Sequence, residues 1–329
     1  MASCEQERRL SIVLSEHLAP IRNYLSDGSI SEVLINGPSD IWVERGGKLS
    51  RTKASFASAG SLTAALRAIA QLLGRDFDDG RAVFEGRLPN GARVQAIAGS
   101  ICGGAPCASI RLHRKSAWTL EAWAGMAHLE PADLDLLRQA IQNRKNLIIS
   151  GGTGTGKTSA LGALASAIDE ASRIICIEDV REIEFGHPHV ISLEASARGS
   201  SLGRGQVITA PRVLTIAELF RASLRMRPDR IIVGELRGPE AQPLLHAMAS
   251  GHDGCLSTIH ASSPLEALQR LETFIIQAQP DIPLGALREQ ICSSLDLVIH
   301  LERSADGQRR VDCIAQLGPE LVGGHYELS

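Results

Sequence analysis

The chain has 329 residues, of which 44% are apolar and 22% charged, and carries a net charge of −3. That length allows roughly two domains of ~150 residues, each with its own core. The slightly negative balance argues against nonspecific nucleic-acid binding as the main activity, and an aromatic content of 3% leaves no platform for stacking bases. No apolar run approaches the ~18 residues that a membrane span needs. The polar start "MASCEQERRLSIVLSEHLAP" lacks a signal-peptide core. A cytoplasmic protein without a transmembrane segment is expected. The seven cysteines, at 4, 102, 107, 176, 255, 292 and 313, form an odd, scattered set. They read as small buried hydrophobes, and "CGGAPC" lacks the further ligands a metal would need nearby, so neither zinc nor a disulfide is expected.

In chain order, residues 5–26 read as an amphipathic helix that ends near "SDG". "SEVLING" and "DIWVERGGKL" read as two strands joined by Asn36-Gly37-Pro38. "SLTAALRAIAQLLG" has helical spacing and stops at Gly74, and "RVQAIAGS" and "CASIRLHRK" read as two further strands. Residues 1–114 are therefore expected to form an α+β domain, followed by a linker over 115–130 with short helical pieces. From 131 to 329 the pattern alternates: strands at 146–150, 173–178, 230–234 and 254–259, helices at 158–170, 240–250 and 264–278. Such alternation predicts an α/β domain with a mainly parallel sheet covered on both faces. "SARGSSLGRGQ", residues 196–206, reads as a mobile loop.

"NLIISGGTGTGKTSALGALA" (146–165) sets a run of glycines and one lysine between a strand and a helix. It contains Gly151-Gly152-Thr153-Gly154-Thr155-Gly156-Lys157-Thr158, the full G-x-x-x-x-G-K-[ST] pattern, followed by Ser159. Glycines let successive N–H groups point into one concavity, and the helix N-terminus adds partial positive charge there. Lys157 is placed to reach the β and γ phosphates of a nucleotide, and the Thr158 hydroxyl to hold Mg²⁺. A dinucleotide-binding turn would leave the Lys-Thr pair without a role. A plain glycine-rich turn would explain neither that pair nor the strand before it.

Three more strands end in chemistry-bearing residues at the end where open α/β sheets bind ligands. "RIIVGELRG" places Glu235 beyond Val233-Gly234, where a carboxylate can orient or deprotonate a water. "RIICIEDVREIEF" ends in Glu178 and Asp179, suited to a water or Mg²⁺ shell. "GHDGCLSTIHA" carries His252 on a turn and His260 at a strand end, where a histidine can hydrogen-bond a γ phosphate. Each also has a plainer reading: Glu235 as a solvated acid at a strand end, Glu178 and Asp179 as a surface acid pair, and a lone histidine as a core or surface residue.

Together, in this order and spacing, "GGTGTGKT", "IEDVREIEF", "LRMRPDRIIVGELRGPEA" and "SGHDGCLSTIHA" resemble the Walker A, Asp, Walker B and His boxes of the secretion ATPase superfamily, the motors of type II secretion, type IV pili and type IV secretion. "EVLINGPSDIWVERGGKL", "GRLPNGARVQA" and "SIRLHRK" resemble that family's N-terminal domain. The likeness spans about residues 28 to 302. "LRMRPDRI", "AMASGHDGCLSTIHASSPLEALQRLE" and "LREQICSSLDLVIHL" are most similar to the Tad/Flp pilus assembly ATPases, with conjugation and type IV secretion ATPases next. Ala249-Ser250 and Ser262 stand where that branch has Asn-Thr and Asn, and "VITAPRVLTI" is extra.

The resemblance implies a RecA-like P-loop ATPase domain and a homohexameric ring that binds ATP and Mg²⁺ between its two domains. It implies Glu235 as catalytic base, Glu178 as its helper and His260 as γ-phosphate sensor. Arg111 and Arg93 match first-domain arginines that reach the nucleotide. Arg221, Arg225 and Arg227 match positions that act across the ring interface, Arg225 in catalysis and Arg227 in nucleotide binding. The implied partner is an inner-membrane platform protein, which would hold the ATPase at the cytoplasmic face of the membrane without direct contact to nucleic acid. Two other readings stay open: a traffic ATPase of conjugation or type IV secretion, and a regulatory module that binds nucleotide with little turnover.

Overall fold

The computed structural model describes residues 12–13, 15–112, 118–195, 214–304 and 307–329. They fall into two compact units, one up to residue 112 and the other from residue 118 onward. The Ser/Gly-rich segment expected as a loop at 196–206 lies outside the described residues, as does most of the "VITAPRVLTI" insertion.

The first unit is an antiparallel sheet of six strands in the order β3-β2-β1-β6-β5-β4. These are β1 (Ile30–Gly37), β2 (Asp40–Arg45), β3 (Lys48–Arg51), β4 (Val83–Arg87), β5 (Arg93–Ile97) and β6 (Cys107–Arg111). The expected long strand through "DIWVERGGKL" is a hairpin, because Gly46 and Gly47 both take positive φ, 57° and 79°, as a tight two-residue turn requires. Period-2 alternation sorts the sheet. Val33, Ile35, Val94, Ala96 and Ile110 are buried against Leu62, Leu66 and Ile69 of α2 (Ala59–Leu72), whose first turn is closed by a Ser58–Ser61 capping box. The helix expected over 5–26 is interrupted: residues 17–21, which hold Pro20, form a turn, and only α1 (Arg22–Ser26) follows. Proline has no N–H to continue the helical ladder.

The second unit carries seven strands in the order β13-β12-β7-β11-β10-β8-β9. They are β7 (Leu147–Gly151), β8 (Ile174–Glu178), β9 (Val190–Glu194), β10 (Arg230–Leu236), β11 (Leu256–His260), β12 (Leu297–Arg303) and β13 (Arg309–Gln316). All pair in parallel except β13, which returns antiparallel along β12. Strands buried on both faces alternate between two cores. Ile148, Ile175, Ile177, Val233 and Ile259 face one core with α6 (Ile216–Ser223), α7 (Ala241–Ala249), α8 (Pro264–Ala278) and α9 (Leu284–Ser294). Leu147, Ile149, Ile174, Ile232 and Leu256 face the other, with α3 (Leu120–Met126), α4 (Pro131–Gln142) and α5 (Lys157–Ser166).

Residues 118–130, expected as connecting chain, are part of that second core. Thr119 caps α3, and Leu120, Trp123, Ala124 and Ala127 are buried among the residues of α4 and α5. Two tryptophans in a stretch without strand period mark buried area rather than a tether. Among the described residues no helix is long and apolar enough to cross a membrane.

Candidate functional site: a phosphate loop and a polar chain across three strand tips

β7 lies inside the second unit's sheet, between β12 and β11, and it delivers the glycine loop. Asn146, just before it, pins its start: Oδ1 accepts from the N–H groups of Gly254 and Cys255, both at 2.9 Å, and Nδ2 donates to Ser294 O at 2.7 Å. At the other end the loop needs glycine. Gly151, Gly154 and Gly156 have φ of 153°, 76° and 97°. A Cβ on Gly151 would come within 2.5 Å of Leu301 O. Gly156 is the N-cap of α5, and no side chain satisfies the helix's first N–H groups, the arrangement that binds phosphate. Thr155 Oγ1 donates to Gly152 O at 3.0 Å and stiffens the loop. Thr158 and Ser159 follow, half-buried, in the first turn, while Gly152, Thr153 and Gly154 are exposed.

Lys157 is buried, and its ammonium donates to Gly151 O (2.9 Å) and Gly152 O (2.8 Å). Burial lowers its pKa, against which the charge of Glu235 acts. The loop therefore holds a partly desolvated cation among bare N–H groups, and that donor set fits a triphosphate.

Lys157 also starts a polar chain across the tips of β7, β11 and β10. Its Nζ lies 3.4 Å from Nδ1 of His260, the last residue of β11. His260 Nε2 lies 2.7 Å from Glu235 Oε1, a close polar approach without the alignment of a full hydrogen bond. Burial, then the Lys157 charge, lowers the His260 pKa, so the neutral ring is favoured. Nδ1 facing an ammonium must be the acceptor, which places the proton on Nε2, toward Glu235. Arg237 closes the chain: its Nε donates to Glu235 Oε2 at 2.6 Å, and its guanidinium reaches Asp179 at 3.7 Å. Arg237 is itself positioned by Glu240, whose Oε1 accepts from the N–H groups of Arg237 and Gly238.

The acidic pair at the end of β8 divides. Glu178 turns inward against Gly234, where a Cβ would sit 2.9 Å from its Cγ. Its Oε1 accepts from the N–H groups of Glu182 (2.8 Å) and Ile183 (3.0 Å). Burial dominates those bonds and pushes its pKa up to about 7. Glu178 thus braces the segment after β8, while half-exposed Asp179 faces Arg237. For Mg²⁺, the Thr158 hydroxyl and the Glu178 carboxylate are both hard oxygen donors, and a nearby dication stabilises the ionised carboxylate that burial disfavours. Thr158 is half-buried beside the loop, and Glu178 is buried with Oε1 accepting from two backbone N–H groups.

Among the described residues, no hydrogen bond or ion pair joins Arg221, Arg225 or Arg227 to this chain. Arg93 and Arg111 belong to the first unit, directly opposite each other across β5 and β6. Like charges so placed repel, and Glu32 stands opposite Arg111 on β1. Arg221 and Arg225 are exposed at and beyond the end of α6. Arg227 is exposed, takes a left-handed φ of 54°, and pairs with Asp229 at 3.4 Å. His252 lies before β11, at the opposite end from His260, with a buried Nδ1 that has no hydrogen-bond partner among the described residues.

Several residues at the site had no reading from sequence. Arg237 stands two positions after Glu235 in "GELRG", a signal that was available. Arg303 and Arg309, from β12 and β13, lie against the loop: a Cβ on Gly154 would be 3.7 Å from Arg303 and one on Gly156 3.3 Å from Arg309. His300, on β12, shares a 2.8 Å hydrogen bond with Ser150 through Nδ1. A small pocket beside the loop is lined by Trp123, Met126, Thr155, Gly156, Leu301 and Arg309.

Comparison with known proteins places these features in a family. The family model described as "Type II/IV secretion system protein" matches residues 15–321. The type IV secretion system protein PtlH of Bordetella pertussis is 33% identical over 323 residues, covering 89% of this chain and 92% of that protein. The conjugal transfer protein TrbB of Rhizobium radiobacter is 31% identical, covering 87% of this chain and 83% of its own. Among solved structures, the VirB11 ATPase of the Brucella suis type IV secretion system, crystallised with sulphate, aligns with a TM-score of 0.50 and 26% identity over 96% of both chains. The chain belongs to the type II/IV secretion system protein family, the secretion ATPases.

Proposed function

We propose that this ATPase works as a homohexameric motor in which ATP hydrolysis at the β7–β11–β10 strand tips drives export through a secretion apparatus. The observation that carries the reading is the continuous polar chain Lys157–His260–Glu235–Arg237 beside a glycine loop. A module that only binds nucleotide needs the loop and the lysine but neither the histidine nor the carboxylate.

In this reading the N–H groups of residues 152–157 and Lys157 hold the phosphates, with the ammonium exchanging the Gly151 and Gly152 carbonyls for charged oxygens. Thr158 and Glu178 would hold Mg²⁺, which would supply charge neutralisation on the phosphate oxygens when bound. Glu235 accepts the proton of the attacking water, and the hydrogen bond from Arg237 aims it. His260 joins Lys157 to Glu235, so displacement of the ammonium by a γ phosphate reaches the carboxylate. Arg93 and Arg111 of the first unit, and Arg225 and Arg227 from a neighbouring subunit, contribute the cations that stabilise the departing phosphate.

For the apparatus, the names borne by PtlH, TrbB and VirB11 favour type IV secretion or conjugation, with Tad/Flp-type pilus assembly as the alternative. Either assigns the ATPase to the cytoplasmic face of an inner membrane, on a platform protein. Purified protein with Mg²⁺-ATP is expected to hydrolyse ATP, and Lys157→Ala to abolish it. Absent turnover, or turnover indifferent to Lys157, would leave the binding module as the better reading.

A further inference from the structure

Two thiols that this chemistry does not use meet in the first unit. β5 ends at Ile97, and its register partner Cys107 begins β6. The connection between them folds back tightly. The N–H groups of Ile101 and Cys102 donate to Ala98 O at 3.1 and 3.3 Å, and Gly104 N–H donates to Gly99 O at 2.7 Å. Gly103 and Gly104 take φ of 76° and 114°, open to glycine and strained for other residues. A Cβ on Gly99 would come within 2.8 Å of Gly104 O, so the two legs of the loop are in backbone contact. This backbone brings Cys102 over Cys107 with their Sγ atoms 3.2 Å apart. Both are free thiols, Cys102 exposed and Cys107 half-buried. The scattered-cysteine reading thus fails for this pair: four intervening residues, two of them left-handed glycines, are enough to close the gap. A disulfide bond is ~2.05 Å long, so side-chain rotation over roughly 1 Å completes it.

We propose that Cys102 and Cys107 form a thiol–disulfide exchange site, which a low-molecular-weight disulfide such as oxidised glutathione converts to an intramolecular disulfide. Exposed Cys102 enters first. It gives up its proton, and its thiolate attacks one sulfur of the small disulfide. That S–S bond breaks, and the released thiolate takes up a proton. Cys107 then loses its proton and attacks Sγ of Cys102 in the mixed disulfide, displacing the second small thiol. The two protein thiols lose two electrons, and the small disulfide gains them as it becomes two thiols. Burial and the neighbouring Cys102 raise the Cys107 pKa, which disfavours it as the entering thiolate, and its place against Cys102 leaves it the resolving step.

The site is independent of the ATPase reading and is tested without an activity assay. Full-length protein carrying Cys313→Ser, which removes the other exposed cysteine among the described residues, is equilibrated in glutathione redox buffers, quenched with iodoacetamide and digested with trypsin. Residues 94–111 form one tryptic peptide that contains both thiols. The expected product is that peptide lacking two hydrogens and carrying no alkyl groups. Its oxidation constant should be at least about tenfold larger in the native protein than in guanidinium-unfolded chain, which for two electrons is a ~30 mV shift. Cys107→Ser should accumulate a glutathione adduct on Cys102, whereas Cys102→Ser should remain largely reduced. Equal constants in folded and unfolded chain would overturn the proposal, as would a native peptide that stays doubly alkylated or an adduct that favours Cys107.

Discussion

Glu235 is the residue on which the chemistry turns, because it alone touches both the histidine of β11 and an arginine of its own strand's end. Glu235→Gln keeps the shape and hydrogen bonding but removes the base. Turnover should fall on the order of 10²-fold or more while ATP affinity is retained; equilibrium binding of a fluorescent ATP analogue alongside steady-state hydrolysis checks both. Glu178 makes a different prediction, through stability. Its folded pKa of about 7 stands above the ordinary glutamate value of 4.5, because burial disfavours the charged form. Between those values the folded protein holds a proton that the unfolded chain has lost. Stability therefore falls as pH rises from about 4.5 to 7, by an amount on the order of 3 kcal/mol. Glu178→Gln, which still accepts from Glu182 and Ile183, should flatten that part of the profile. Denaturant unfolding of both proteins between pH 5 and 8 gives the difference, and parallel profiles would show that Glu178 ionises normally. Both acids were legible in the sequence as polar residues ending apolar strands. That one turns inward and the other meets Arg237 was not, because the choice depends on Gly234 of a neighbouring strand making room.

Among the elements, α3 carries the clearest consequence. Read alone, its seven residues, with Trp118 just before them and Trp123 among them, are too few to distinguish a helix from a tether. In the fold Trp123 is 2% exposed and packed into the core that also holds Leu161 and Leu164 of the helix after the glycine loop. Trp123→Ala should destabilise the second unit by about 3–5 kcal/mol, visible as a lowered thermal midpoint. A change below about 1 kcal/mol would return the segment to a connecting role. The glycine loop makes the opposite demand, for the absence of a side chain. Gly151→Ala places a methyl against Leu301 O and Thr155 Oγ1. It should cost nucleotide binding as well as stability, since relieving that clash shifts residue 151, whose own carbonyl Lys157 holds.

At the scale of the whole molecule, the completeness of the site is in question. Lys157 and Arg237 are the cations bonded into the Glu235 chain, and both are already engaged there. Arg93 and Arg111 sit in the other unit, and Arg225 is exposed on the surface beyond α6. An added arginine is worth roughly 10³-fold or more in comparable nucleotide hydrolases. On the proposed ring, turnover per chain should rise with protein concentration. Arg111→Ala or Arg225→Ala should lower it strongly with modest effect on affinity. Mixing Glu235→Gln chains with chains lacking an arginine that acts in trans should restore part of the activity, because some interfaces then pair both intact groups. Flat specific activity, with no recovery in any mixture, would rule out a shared site.

Legible from the chain alone were the glycine loop and the strands that carry Glu178, Glu235 and His260 at or next to their ends. Each is local: spacing, period and turn chemistry act within a dozen residues. That β11 and β10 lie in that order beside β7, joining Lys157, His260 and Glu235 over a sequence separation of some hundred residues, emerges only when the sheet is packed. Strand order follows from how the helices cover the two faces of the sheet, and that is a property of the packed whole. The same holds at small scale for Cys102 and Cys107, whose contact is made by the backbone geometry of the loop rather than by their spacing.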